Sequence, residues 1–151
     1  MRKPLRLLAA PALTGAGLVL VSRAMTTNRA DFPSDEGFAN PLPPCPSSPN
    51  CVRLTRFFPI DAGTLFPSAR AALEALSPLS VAEDPAARSL DAVFRVGPFK
   101  DDAAIRVTRE NGGSALHLRS AGRVGYSDFG VNGRRVRRFL EALSGRLAEV
   151  Q

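Results

Sequence analysis

Between Arg119 and Arg138 the sequence RSAGRVGYSDFGVNGRRVRR holds the side chains best suited to chemistry. Six arginines face one acid, Asp128, over this stretch. Arg119, Arg123 and Arg135 carry forked donors that match carboxylate or phosphate oxygens. Ser120, Ser127, Asp128 and Asn132 lie among them and can orient those donors or share a ligand. Asp101 and Asp102 form a second acidic point upstream. Two chemistries follow: binding of an anionic group by the arginines, or hydrolysis or group transfer with Asp102 or Asp128 as base and Arg119, Arg123 and Arg135 stabilising developing negative charge. No catalytic residue is assigned.

The local sequence says how this stretch is shaped. Gly122, Gly125, Gly130 and Gly133 punctuate it, which reads as a shaped loop. From Asn132, a good N-cap, Val136, Phe139, Leu140, Leu143, Leu147 and Val150 make one apolar stripe of an amphipathic helix. Arg134, Arg135, Arg137 and Arg138 then crowd the first two turns, against the helix dipole by about 0.3 to 1 kcal/mol per charge. A compensating negative charge is expected: Asp128, the Asp101–Asp102 pair, or a bound anion. The open amides ahead of Asn132 would add to an anion site.

The elements that must hold the loop are readable upstream. Ala103, Ile105 and Val107 alternate with polar or small residues, as do Leu116 and Leu118, across Glu110-Asn111-Gly112-Gly113. With these four at the tip of a hairpin, Ile105 pairs with Leu118, Val107 with Leu116, Arg106 with His117 and Ala104 with Arg119. Asp101 and Asp102 then fall beside Ala121, Gly122 and Arg123. Val52–Phe58, Leu79–Glu83 and Leu90–Val96 read as further strands, and Thr64 as the cap of a helix running through Leu76 with Pro67 in its first turn. The expected fold is α+β: an antiparallel meander of four to five strands packed against two helices, preceded by an N-terminal export or anchor helix.

Several classes are disfavoured. His117, the single histidine, sits on the strand face of Arg106 and Arg119 with no evident nucleophile, which favours a solvated or hydrogen-bonded structural role. Ser127-Asp128 are turn neighbours, better suited to capping than to a triad. Asp128-Phe129-Gly130 spells the magnesium-binding tripeptide of protein kinases, but the chain lacks a glycine-rich loop and the length for two lobes. No metal site and no cofactor are expected.

At the N-terminus, Arg2, Lys3 and Arg6 precede an apolar run from Leu7 to Val21 and the small-residue positions of Ser22-Arg23-Ala24. At about 15 residues, the run is short of the ~20 of a comfortable span. Residues 1–24 are therefore expected to be a signal peptide or, as Arg23 before Ala24 is unusual for cleavage, an N-terminal membrane anchor. Residues 25–44 read as a flexible polar, proline-bearing tether and residues 45–151 as a single domain. An extracytoplasmic location follows, periplasmic or secreted, with membrane attachment if the leader is retained. Four of the 20 basic residues and none of the 14 acidic ones lie in residues 1–24, which leaves +2 of the formal +6 for the rest. That balance, with the export signal, argues against nucleic acid as a partner. Cys45 and Cys51, in CPSSPNC, are expected to form a disulfide in such a compartment; free thiols and a metal site are the competing readings. With one histidine in the chain, zinc is disfavoured.

CPSSPNCV at Cys45–Val52, Asp101-Asp102, and RSxxRVGYSDFGVNxxR from Arg119 to Arg135 together resemble the domain of unknown function 1499 family. The resemblance spans roughly residue 40 to the C-terminus. It implies a small exported or membrane-associated protein, in a family with no established activity. Matching the family pattern are Cys45, Asn50, Cys51, Asp101, Asp102, Arg119, Ser120, Arg123, Gly125, Ser127, Asp128, Gly130, Asn132 and Arg135. Gly122 stands where the family often has serine, which weakens any catalytic role for that position. Arg53-Leu54 replaces the small hydroxyl residues common after the second cysteine. The preferred functional expectation is a non-enzymatic module whose Arg/Asp cluster binds a small anionic ligand or another envelope protein. An envelope hydrolase or transferase and a membrane-anchored assembly factor are the alternatives.

Overall fold

The computed structural model describes residues 32–150; the expected leader, and with it any export or anchor helix, lies outside the described residues. The elements run β1 (Cys51–Phe58), α1 (Ala62–Glu74), β2 (Ser80–Asp84), β3 (Ser89–Val96), β4 (Phe99–Glu110), β5 (Gly113–Gly122) and α2 (Val131–Val150). The strands form one antiparallel sheet in the order β1-β5-β4-β3-β2, so β2 to β5 are a meander and β1 closes its far edge. Both helices cover one face. The expected α+β class holds, with five strands.

The β4–β5 hairpin has the expected register: Ile105 opposes Leu118, Val107 opposes Leu116, and Asp101 opposes Gly122. Its tip is tighter than four residues, because the ladder continues to Glu110 opposite Gly113 and leaves only Asn111-Gly112 to turn. Gly112 takes φ +81°, which costs glycine little. Gly113 has a different constraint: a Cβ there would sit 2.2 Å from the Phe58 carbonyl oxygen, so β1 can approach only a glycine.

Alternation along the strands assigns the faces. Leu54, Leu90, Ile105, Val107, Leu116 and Leu118 point toward the helices and are buried against Leu65, Ala69, Leu73, Val136, Phe139 and Leu143. Each fully buried side chain of this size contributes roughly 1.5 to 3 kcal/mol.

Both helices begin elsewhere than expected. Asp61, not Thr64, caps α1: its carboxylate accepts from the amides of Gly63 (2.8 Å) and Thr64 (3.1 Å) and from the Thr64 hydroxyl (2.7 Å). These bonds, the hydroxyl's first, hold the Asp61 pKa below its ordinary value. Pro67 therefore lies in the second turn rather than the first. In α2, Asn132 is already helical, and the cap is supplied by Asp128 (below).

Residues 32–50 run along β1. Ser34 and Asp35 bond the exposed edge, with the Asp35 amide on the Thr55 carbonyl at 3.0 Å and the Asp35 carboxylate on the Phe57 amide at 2.7 Å. This covers an otherwise open strand. Phe32 is buried in the core with the Arg137 guanidinium 5.6 Å above its ring, and Leu42 is buried on the outer face. Cys45 and Cys51 are joined by a disulfide.

Candidate functional site

Antiparallel pairing brings the start of β1, the start of β2, the end of β3, the start of β4 and the end of β5 to one end of the sheet. The C-terminus of α1, the β5–α2 loop and the first turns of α2 lie at the same end. Every residue of the expected Arg/Asp cluster is at or near this end, with Arg119 set furthest into the sheet, opposite Arg53 and Ala104. They do not form one cluster.

Asp101 and Asp102 are separated by the pleat, since successive strand residues face opposite sides. Asp101 points to the helix face and meets Arg135 of α2 at 2.8 Å, both side chains being buried. Arg135 also donates to Ser120 Oγ (2.9 Å) and Asn132 Oδ1 (2.6 Å), and its guanidinium lies 4.5 Å from the Phe94 ring centroid. Ser120 Oγ donates to Asn132 Oδ1 at 2.6 Å. Asn132 Nδ2 completes the network by donating to the Asn50 carbonyl (3.1 Å) and to Asp128 (2.7 Å). Asn50 then donates to the Gly125 carbonyl at 2.7 Å, which ties the disulfide loop to the glycine-rich loop. This network joins strand, helix and two loops, and its polar groups satisfy one another.

Asp102 faces the other side of the sheet, where its two oxygens accept from Arg123 at 2.7 to 3.0 Å in a half-exposed pair. The hydrogen bonds from Arg123 to Asp102 hold the Arg123 pKa above its ordinary value. Arg119 is also on the outer face, and its Nε is buried without a hydrogen-bond partner among the described residues. Arg119, Arg123 and Arg135, expected to act together, are thus divided between two faces.

Ser127 and Asp128 shape the loop. Asp128 accepts from the amides of Gly130 (2.9 Å) and Asn132 (2.7 Å), its carbonyl accepts from Val131, and Ser127 Oγ accepts from the Phe129 amide. The amides ahead of Asn132 are therefore occupied rather than open. Asp128 is the compensating charge at the helix start, and Asp101 is the one for Arg135.

His117 is fully buried rather than solvated. Nδ1 lies 3.0 Å from Thr55 Oγ1 and Nε2 lies 3.0 Å from Thr108 Oγ1. Thr108 already donates to Glu110 and Thr55 already accepts from Asn40, so the consistent assignment is a neutral ring with its proton on Nε2. Burial lowers the His117 pKa; nearby Glu110 opposes this and Arg53 adds to it. With both nitrogens engaged, the ring reaches no substrate.

A cleft of about 320 Å³, not foreseen from the sequence, lies between the end of α1, the end of β3 and the start of α2. Its apolar wall includes Leu76, Leu79, Phe94 and Val131; its cations are Arg134, Arg135 and Arg138, while Arg95, next to inward-facing Phe94, borders it from β3 with its side chain turned to the other face of the sheet. Arg135 is neutralised by Asp101, but Arg95, Arg134 and Arg138 have no acidic partner among the described residues. The basic start of α2 was a signal for Arg134 and Arg138. Nothing in the sequence links Arg95 or Leu76 to them. Among the described residues, no group of three or more histidine, cysteine or acidic side chains could hold a metal ion, and no helix is long and apolar enough to cross a membrane.

Residues 41–143, which contain this polar network, match the family described as protein of unknown function (DUF1499). The chain belongs to that family. The match covers the sheet, α1, the loops at the site end and α2 as far as Leu143, so the polar network and the cleft lie within the matched residues. No curated protein matches the chain at a significant level. Solved structures similar to this DUF1499 chain include protein CV1439 from Chromobacterium violaceum, at 14% identity over 64% of this chain and 96% of that one, with a TM-score of 0.40. TTHA0849 from Thermus thermophilus is similar at 14% identity over 67% of this chain and 99% of that one, with a TM-score of 0.39. Likenesses this weak carry no statement about function.

Proposed function

We propose that this DUF1499 protein is an extracytoplasmic, non-enzymatic binding module that receives an anionic group in the cleft at the start of α2. The observation that carries this reading is the presence of Arg134 and Arg138 on one partly apolar cleft without an acid to neutralise them. Guanidinium groups left unpaired beside an apolar wall are suited to a carboxylate or phosphate attached to an apolar body. The buried Asp101–Arg135 network holds the helix start in place and is a framework for the cleft rather than its ligand contact. An enzymatic role for Asp102 or Asp128 has less support: Asp102 lies on the opposite face, and the two oxygens of Asp128 accept from the Gly130 amide and from the amide and side chain of Asn132.

Heat denaturation in millimolar phosphate, aliphatic carboxylates and lipid headgroup phosphates tests the reading. One of these anions should raise the melting temperature of the wild type and have a much smaller effect on Arg134→Gln/Arg138→Gln. No stabilisation by any of them overturns it.

A further inference from the structure

Five large apolar side chains stand in solvent at the end of the molecule that holds the cleft; Leu79, 48% exposed, belongs to the cleft wall, and the other four lie outside it. Phe99, beside the β3–β4 turn, is 55% exposed; Val124, Tyr126 and Phe129, on the β5–α2 loop, are 58%, 75% and 67% exposed. The two segments are neighbours, since the Arg123 amide donates to the Lys100 carbonyl at 3.2 Å. Of the large apolar side chains exposed among the described residues, only Val150 lies far from this end. A patch of this kind marks a contact surface.

The charges around it have one sign. Arg95, Lys100, Arg134 and Arg138 have no acidic partner among the described residues, and Phe129 holds Arg134 beside the aromatic loop through its carbonyl, at 3.0 Å. The acids at this end are already engaged: Asp101 by Arg135, Asp102 by Arg123, Asp128 by the amides of Gly130 and Asn132, and Glu74 by Arg70. Exposed aromatic residues ringed by unpaired cations complement a surface that is apolar within and anionic at its rim. An anionic phospholipid bilayer has that profile.

We infer that this end of the domain docks on an anionic phospholipid surface, with Phe99, Val124, Tyr126 and Phe129 entering the interface while Arg134 and Arg138 take a headgroup phosphate. The inference rests on the reading of the cleft as an anion site and names the source of the anion.

Tyr126 is the single tyrosine of a chain without tryptophan, so the emission of the full-length protein reports on this loop alone. Phosphatidylglycerol vesicles with brominated acyl chains should quench Tyr126 and shield it from acrylamide, whereas phosphatidylcholine vesicles should do neither. The phosphatidylcholine control separates docking of the loop from any attachment by the N-terminal segment. Arg134→Gln/Arg138→Gln should weaken the phosphatidylglycerol effect about tenfold or more, and Phe99→Ser/Phe129→Ser should abolish the bromine quenching. Tyr126 left open to acrylamide on phosphatidylglycerol, or shielded equally on both lipids, overturns the inference. Stabilisation by inorganic phosphate without shielding of Tyr126 overturns docking and leaves the cleft as a site for a soluble anion; neither effect removes both readings.

Discussion

Asp101 and Arg135 meet at 2.8 Å with side chains only 6% and 9% exposed, joining the start of β4 to the start of α2. Each is also costly to leave alone, because an unpaired charge in this setting keeps its desolvation penalty without its partner. Asp101→Asn or Arg135→Gln should therefore lower stability by roughly 3 to 5 kcal/mol, read as a shifted urea midpoint. The double variant Asp101→Leu/Arg135→Leu should recover part of that loss. A single substitution costing under about 1 kcal/mol would show that the pair is not the fastener described.

The neighbouring acid should behave quite differently. Asp102 and Arg123 are 49% and 45% exposed, so solvent screens their attraction even though the geometry is bidentate. Asp102→Asn should cost no more than about 1 kcal/mol by the same urea measurement, and less in high salt.

His117 predicts a pH dependence with a definite sign. Burial depresses its folded-state pKa below the unfolded value of about 6.5. Between those two values the unfolded chain binds the proton and the folded chain does not. The contribution is thus complete above about pH 6.5 and is lost as pH falls from there toward the folded pKa. His117→Gln should remove this slope from a stability profile taken between about pH 7 and pH 5. An unchanged slope would assign it to other groups.

The Cys45–Cys51 bridge closes a short loop whose Asn50 is bonded to Gly125. Cys45→Ser/Cys51→Ser should cost about 2 kcal/mol through the restored freedom of the unfolded chain. Reductant should lower the melting temperature of the wild type and leave that of the variant unchanged.

Much of the fold is written locally. Alternation in Ala103-Ala104-Ile105-Arg106-Val107 and Ala115-Leu116-His117-Leu118 specifies the hairpin register, because a slip of one residue would turn the apolar set to solvent. The stripe from Val136 to Leu147 specifies the buried face of α2. The same alternation also separates the two acids. A register that turns Ile105 and Val107 inward turns Asp101 inward and Asp102 outward, so their division between two faces was legible before any coordinates. Helix starts were less legible: Asp61 and Thr64 are both good caps, as are Asp128 and Asn132. The choice depends on where the preceding strand delivers the chain.

Sequence by itself determined the family, the α+β class, the hairpin register and the approach of Asp101 to the loop after β5, all of which follow from periodicity or from a contiguous motif. Tertiary structure alone decided that Arg135, rather than Arg119 or Arg123, reaches Asp101, and that Leu76 shares a cleft with Arg134 and Arg138. Periodicity tells each element which face to bury. Which side chains meet across that buried face depends on strand order and on how the helices lie over the sheet, and those are set by the packing of the whole core.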